Sequence, residues 1–502
     1  KIATEILARW KQNDTFAKSI SERVGKPSFV FYEGPPSANG MPGIHHVMAR
    51  TIKDLFCRYK TQKGYQVHRK AGWDTHGLPI ELGVEKELGI TKDAIGKSIS
   101  IEDYNAACKK AVMRYTDVWN KLTDRIGYWV DMEDPYVTYT SKYMESVWWL
   151  LKQIHEKGLL YKGYTIQPYS PMAGTGLSSH ELNQPGTYQD VTDTTITAQF
   201  KTLPESLPPH LHGTLPLYLL AWTTTPWTLP SNLALAVGPD IDYAVLQHTD
   251  GNTYILAEAR LSSYEKELEG AEVVRTMKGR DLVGRRYTPI LPFFAGTNNA
   301  FQILGAEFVT TEDGTGVVHM APGFGEDDQI ECNAAGIPTL CPMDEHGCYT
   351  AEITPWVGKH VFEANSDIVR TLKDMGVVVR HDSYNHSYPH CWRCAEPLVY
   401  RAISSWFVEV TKFRDRMVEL NEQITWSPEH IKDGSFGKWI ANARDWAISR
   451  NRFWGSPIPV WKSDDPTYPR IDVYGSIEDL SRDFGVEVQD LHRPGIDNLV
   501  RP

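Results

Sequence analysis

The chain has 502 residues, of which 41% are hydrophobic and 23% charged. That is a globular balance, it excludes a disordered chain, and at roughly 150 residues per domain it leaves room for about three domains or one large domain with insertions. Lys and Arg number 52 against 63 Asp and Glu, a formal charge of -11, so bulk charge does not advertise nucleic-acid binding and an RNA partner must be met by local basic patches.

Ile2, Ile6, Leu7 and Trp10 recur at helical spacing and predict a short amphipathic opening helix. This segment, KIATEILARW, carries charge throughout and no apolar h-region, so no secretory signal is expected. Ser28 to Tyr32 (SFVFY) is a compact strand run, and Glu33 to Gly43 (EGPPSANGMPG) is a Gly- and Pro-bearing loop. From His46, the residues Met48, Ile52, Leu55, Phe56 and Tyr59 mark one helix face, and Tyr65 to His68 reads as another strand. The result is a βαβ unit, in which ligands bind beyond the carboxyl ends of the strands and the helix N-terminus favours phosphate. Residues 101 to 160 read as helical and aromatic-rich (VWNKL, YWVDM, SVWWLLKQI), which is core packing by default. From about 190 to 385 short β-branched runs follow (TTITAQF, YAVLQH, TYILAEA, GTGVVHMA), the pattern of an inserted, mainly β domain. Helical periodicity with Trp and Arg returns around 405 to 450. The richest apolar run, Leu215 to Trp222, contains Pro216 and is far shorter than the roughly 18 residues of a membrane span. Seven cysteines without a regular framework fit a reducing compartment, so a cytoplasmic protein is expected.

Gly96-Lys97-Ser98 mimics the end of a P-loop, but the preceding Gly89 is too distant and no strand run leads into it, so it reads as a surface turn. The loop from Glu33 is different. Two prolines hold it extended, Asn39-Gly40 supplies a tight turn, and His45 and His46 stand at a helix start, where imidazoles donate to phosphate and the helix end adds positive charge. Read alone, adjacent histidines at such a position are also ordinary caps or surface residues.

FYEGPPSANGMPGIHHVMARTIKDL, followed by GWDTHGLPIE at 72 to 81, resembles the nucleotide-binding half of class I aminoacyl-tRNA synthetases, and the isoleucyl type in particular. Valyl enzymes typically show GTDHAG, and leucyl enzymes GWDAFGLP, at the second motif. The resemblance continues through WTTTPWTLPSN (222 to 232), GTGVVHMAPGFGEDD (314 to 328), SYPHCWRC (387 to 394) and DWAISRNRFWGSPIP (445 to 459), covering essentially the whole chain. It implies that Gly43, His45 and His46 bind ATP, the two histidines acting in catalysis, that Asp74 binds the α-amino group of isoleucine, and that Pro35 lines its side-chain pocket. In the β-rich insertion, a Thr cluster could be a strand edge and Asp328 a helix-starting acid. The resemblance instead implies an editing site that hydrolyses valine wrongly attached to tRNA: Asp328 anchors the α-amino group, Thr223, Thr224, Thr225 and Thr228 place ester and water, His319 with Thr228 bars isoleucine, and Asn232 supports the Thr loop. One methylene is worth only a few kcal/mol in an apolar pocket, so a second sieve is needed; isoleucine against valine is the standard worked example of that limit.

The expected fold is therefore α/β, a Rossmann-like parallel-sheet catalytic core (1–190 and 387–502, the latter including the start of a second insertion) interrupted by a β-rich editing domain (191–386). The expected activity is isoleucine–tRNA ligation with ATP and Mg2+, acting on isoleucine and tRNA(Ile) as a monomer with no membrane partner. The alternatives are a valyl or leucyl enzyme, a freestanding deacylase, or a non-catalytic tRNA-binding paralogue; GWDTHGLP and DWAISRNRFWG argue against the first two. The family's KMSKS loop and anticodon-binding region are not found within these residues. Cys391 and Cys394 form one CxxC, but the positions where many relatives carry its partner hold Ser170 and Ala173, so a zinc site would need His386 or His390 and two reduced thiols are favoured over a metal. Finally, relatives carry HxGH where this chain has Gly43-Ile44-His45-His46. The first His and the Gly have exchanged places, which predicts that the local backbone shifts so that His45 reaches the phosphates or the adenine edge, with Gly43 supplying the space the first His normally fills, and that the enzyme is a candidate mupirocin-resistant form.

Overall fold

The computed structural model describes residues 1–501 other than Ser178, Leu215 and Arg393. The first residue of the apolar run at 215–222 and the arginine inside the CxxC therefore lie outside the described residues. The chain forms two compact units, Lys1–Tyr161 with Phe407–Pro502, and Lys162–Trp406. It leaves the first within strand Leu160–Ser170 and returns within strand Val399–Val408. The second unit extends beyond the span 191–386 that composition marked. Both of those limits fall inside strands, Tyr188–Lys201 and Val378–Pro389, which pair antiparallel from Val378↔Ala198 to Pro389↔Tyr188. Composition registers where β-branched runs begin, whereas packing carries the whole ladder.

In the first unit, helices α1 (Ile2–Gln12) and α2 (Thr15–Ser21) precede strand β1 (Ser28–Tyr32), helix α3 (Ile44–Gln62) and strand β2 (Gln66–Trp73). β1 and β2 pair in parallel from Ser28↔Gln66 to Tyr32↔Lys70, completing the βαβ unit that the sequence predicts. Helix α4 (Leu78–Leu88) starts with Pro79 in its first turn, and α5 (Ile101–Val112) and α6 (Thr116–Ile126) follow. Gly127, at φ +67°, ends α6. The YWVDM segment read as helical instead leads into strand β3 (Asp131–Val137), parallel to β2, because Tyr128 and Val130 pack with Ala71 beside the sheet. Helix α7 (Ser141–Glu156) is capped by the Thr140 side chain. The sequence placed Met48, Ile52, Leu55, Phe56 and Tyr59 on one face of α3, and so they lie, yet that face is open: Met48 is 64% and Leu55 66% exposed. The helix is held by its other side, where Arg50, Cys57 and Thr61 are buried and Arg50 donates to Thr123 Oγ1 at 2.7 Å.

The second unit is built on a nine-stranded sheet. Its main path runs Glu272–Lys278, Asp242–Gln247, Thr253–Ala257, Leu217–Thr223, Val317–Met320, Ala234–Val237 and Gln302–Gly305, with Tyr188–Lys201 laid against Leu217–Thr223 and Val378–Pro389 against Tyr188–Lys201. Each β-branched run picked out in the sequence lies in or overlaps one of these strands. Helix Val361–Asp374 buries Ile368 and Leu372 in the same core as Leu219, Leu235, Val245, Ile255 and Ile303. Among the described residues no helix is long and apolar enough to cross a membrane.

Candidate functional site

In the first unit the loops leaving β1 and β2 adjoin at the carboxyl ends of the parallel strands, the usual ligand position in such a sheet. The backbone N–H of Asp74 donates to Pro36 O at 3.0 Å, which sets the GWDTHG turn against the double-proline loop carrying Pro35. Trp119 Nε1–H donates to Gly40 O at 2.9 Å, and the Tyr115 N–H to Ala38 O at 2.9 Å, so the loop is fastened along its length. Its root is Glu33, which is 3% exposed: the carboxylate accepts from Lys53 Nζ at 2.6 Å and from the Tyr128 hydroxyl, while the Tyr136 hydroxyl donates to the Glu33 carbonyl. A buried, fully paired carboxylate is strongly position-defining, because breaking the pair strands a charge.

At the start of α3, the Gly43 N–H donates to His46 Nδ1 at 2.9 Å. A neutral His46 therefore carries its proton on Nε2, and burial followed by the charges of His45 and Arg50 lowers its pKa from the ordinary value. His45 is exposed and leans onto His46 with ring centroids 3.8 Å apart. It also covers Gly43, where an added Cβ would stand 2.7 Å from His45 Cε1. Partial desolvation raises the Asp74 pKa from its ordinary value, opposed by the nearby backbone N–H groups of His76 and Thr75; the Thr75 N–H itself donates to Thr138 Oγ1 at 2.9 Å.

The second unit holds a cavity of about 360 Å³, within the usual range for a small-ligand site. Thr223, Thr224, Thr225, Thr228, His319 and Asp328, drawn from sequence positions about a hundred residues apart, all line it. Strand Leu217–Thr223 delivers the Thr run, strand Val317–Met320 delivers His319, and the first turn of helix Glu326–Ala334 delivers Asp328. Asp328 Oδ2 accepts from the Ala321 N–H at 2.8 Å, and burial raises its pKa to about 6. Gly325 makes room for it, since a Cβ there would stand 2.6 Å from Asp328 Cγ. His319 is held neutral, its pKa pushed down to about 3 by burial. Asn232 lies behind the wall, 5% exposed, and its Nδ2 donates to Ala234 O at 2.9 Å and to His319 Nδ1 at 2.8 Å. His319 Nε2–H consequently donates to Thr228 Oγ1 at 2.9 Å, and that hydroxyl donates to Thr225 O at 2.8 Å.

The sequence profile of the tRNA synthetases class I (I, L, M and V) matches residues 5–491. The chain belongs to this family. Among relatives, the isoleucine–tRNA ligase of Mycobacterium tuberculosis (strain CDC 1551 / Oshkosh) is 52% identical over 508 residues, covering 99% of this chain and 48% of its own. That of Rickettsia canadensis (strain McKiel) is 51% identical over 503 residues, covering 100% of this chain and 46% of its own. The chain thus spans about half the length of the curated relatives it matches. The ternary complex of Agrobacterium radiobacter K84 agnB2 LeuRS with tRNA and LeuAMS is 15% identical, with TM-score 0.37, covering 94% of this chain and 52% of that one.

One residue beside this cavity has no sequence signal of its own. Tyr287, 1% exposed, is wedged edge-on between Phe200 and Phe301 and donates its hydroxyl to Asn232 Oδ1 at 2.7 Å. It reads as one more core aromatic until the fold sets it behind Asn232. Near the CxxC, Ser170 Oγ is 3.6 Å from Cys394 Sγ, while His386 pairs with Asp193 at 2.8 Å and His390 Nδ1 donates to Tyr388 O at 2.9 Å. Both histidines are thus engaged elsewhere, and among the described residues no three His, Cys, Asp or Glu side chains gather as a metal site.

Asp328 leaves a thermodynamic mark. Its folded pKa of about 6 exceeds the roughly 3.9 of an unfolded Asp. Between those values the native state binds the extra proton, so stability falls as pH rises through the window and the cost, about 3 kcal/mol, is complete about one unit above pH 6. Asp328→Asn should therefore raise the melting temperature at pH 7.5 and change it little at pH 4; an equal shift at both would show that the carboxylate is not the strained group.

Proposed function

We propose that this chain carries the activating and editing halves of an isoleucine–tRNA ligase. Activation joins the isoleucine carboxylate to the α-phosphate of ATP with loss of pyrophosphate, and the acyl group then passes to the 3′ end of tRNA(Ile). The observation that carries the reading is the Asp74 to Pro36 hydrogen bond, which puts a carboxylate for the amino acid beside a loop and helix start suited to phosphate. Asp74 receives the α-ammonium, and the approach of that cation reverses the desolvation that raises its pKa. Pro35 borders the side chain. His46 Nε2–H, the open N–H groups of α3 and His45 face the nucleotide, and Mg2+ accompanies the phosphates. None of these groups forms a covalent bond to substrate; the gain comes from in-line placement and charge stabilisation. The 52% identity to a relative named isoleucine–tRNA ligase supports isoleucine over leucine or valine. The test is amino-acid-dependent ATP/pyrophosphate exchange by the intact protein: isoleucine should drive it most strongly, and exchange with leucine but none with isoleucine would overturn the assignment.

In the second unit the same reading makes the 360 Å³ cavity the editing site. Asp328 takes the ammonium of a misattached valine, and the Thr223 to Thr225 segment holds the ester. His319 is no general base, since burial makes its imidazole a weak base, with pKa pushed down to about 3, and both ring nitrogens are already hydrogen-bonded. Rate arises from placement of water and ester, and selectivity from the imidazole that fills the wall. His319→Ala should open space for one more methylene, raising hydrolysis of Ile-tRNA by about tenfold or more; a deacylation assay in which Ile-tRNA stays as well protected as before removes His319 as the gate.

A further inference from the structure

A polar chain that runs from the Asp74 turn through the buried His492 to the exposed Asp490 is used by none of these steps. His76 Nε2 lies 2.8 Å from His492 Nε2, although the two residues are 416 positions apart, and His492 Nδ1 lies 2.6 Å from Asp490 Oδ1. Trp454 lies flat on the His492 ring at 4.4 Å and meets His76 edge-on at 5.1 Å, while its indole N–H donates to Thr75 O at 2.6 Å. The Trp454 backbone N–H is itself anchored on the buried Glu81 carboxylate at 2.9 Å. His492 is 5% exposed, and the one cation facing the acid is Lys109, whose Nζ is 3.8 Å from Asp490 Oδ2, among the described ion pairs.

The protons can be assigned along the chain. Asp490 is held down to about 2, chiefly by its bond from His492, so it is an ionised acceptor and His492 Nδ1 must carry hydrogen. The other His492 nitrogen is then a lone pair when the ring is neutral, and it accepts from His76 Nε2–H. His76 stays neutral because burial and the neighbouring imidazole push its pKa down to about 3. An Asp–His pair that fixes the tautomer of a second ring is a familiar way to orient a group that does no chemistry itself. What it orients here is the turn. Asp74 opens this turn: its own N–H donates to Pro36 O at 3.0 Å, while Thr75 is held at its N–H by Thr138 Oγ1 at 2.9 Å and at its carbonyl by the Trp454 indole, so the direction of the Asp74 carboxylate follows the placement of residues 75 and 76.

We propose that Asp490 and His492 are positioning residues for the amino-acid site, acting through His76 to aim the Asp74 carboxylate at the α-ammonium of the substrate. This rests on the reading of Asp74 given above. It adds a requirement that the motif does not contain: a segment more than four hundred residues downstream must dock for GWDTHG to be competent.

The test is isoleucine-dependent ATP/pyrophosphate exchange by the full-length protein, with Val-tRNA hydrolysis as a control for the integrity of the other unit. His492→Ala should raise KM for isoleucine about tenfold and leave KM for ATP within about twofold. Asp490→Asn should move the same constant in the same direction by less. His492→Gln, whose amide oxygen can accept from His76, should recover part of the isoleucine KM. A His492→Ala protein with the parental KM for isoleucine overturns the proposal. So does a rise in both KM values together with no recovery in His492→Gln, which would mark a purely structural role. A parent with no isoleucine-dependent exchange overturns the activating function, and this proposal with it; a parent that exchanges while the variants match it overturns this proposal alone.

Discussion

Replacing Asp328 by Ala should reduce hydrolysis of Val-tRNA by about 100-fold or more while leaving isoleucyl-adenylate formation nearly intact. Two acids line the cavity, Asp313 and Asp328, but Asp313 is exposed, whereas Asp328 is half-buried and desolvated enough to raise its pKa to about 6. A desolvated carboxylate that meets an ammonium forms a charge-assisted pair, and deleting one partner costs far more than a surface contact does. The second clause of the prediction follows from the separation of the two sites, since every residue proposed for activation lies in the first unit and every cavity residue in the second. Gly325→Ala provides a graded version, because its new Cβ would press on Asp328 Cγ from 2.6 Å and should weaken hydrolysis without removing the charge. pH gives an independent reading. With a folded pKa of about 6, the empty site loses its anionic form as pH falls through 6, so kcat/KM for Val-tRNA hydrolysis should decline below that point and level off above it. An Asp328→Ala protein that clears Val-tRNA at the parental rate removes Asp328 from the mechanism.

How much of this was legible in the sequence depends on whether a signal is local. SFVFY is a strand between turn-forming neighbours, and the structure starts and ends β1 on the same two residues. The β-branched runs of the insertion were likewise readable, because period and composition suffice for a buried strand. The gathering of Thr223, Thr228, His319 and Asp328 was not a matter of period: three separate segments converge only when the sheet is ordered, and the motif resemblance stood in for that knowledge. The fine architecture behind the sites was silent. Tyr287 and His492 look like any core aromatic and any loop histidine, and they acquire partners only through the order of strands and the docking of distant loops. The open face of α3 shows the opposite failure. Periodicity correctly placed Met48, Ile52, Leu55 and Phe56 together, but a stripe pattern says that a surface is apolar, not that this chain covers it.

The exchange of Gly and His at the start of α3 predicts the second large effect, and the geometry makes it reciprocal. His45 folds back over Gly43, so a side chain at 43 would strike the imidazole at 2.7 Å from its first carbon, and relief would require either His45 or the Gly43–His46 hydrogen bond to give way. Gly43→His alone should therefore push the exposed His45 ring aside and lower ATP-dependent exchange by about tenfold, since a displaced imidazole spoils the placement of the phosphates. His45→Gly alone should do less, removing an exposed group without adding a clash. The double variant, which restores the HxGH order, should recover more activity than either single change predicts additively, because the two positions share one space. The same packing bears on inhibition. A compound that mimics isoleucyl-adenylate and fits the HxGH arrangement meets His45 where the glycine would leave room, so the parent should resist mupirocin and the double variant should become sensitive. Exchange kinetics and mupirocin titration of the four proteins decide the matter. If the parent is inactive, the exchange marks a decayed motif; if an active parent is as mupirocin-sensitive as its double variant, His45 does not obstruct the inhibitor.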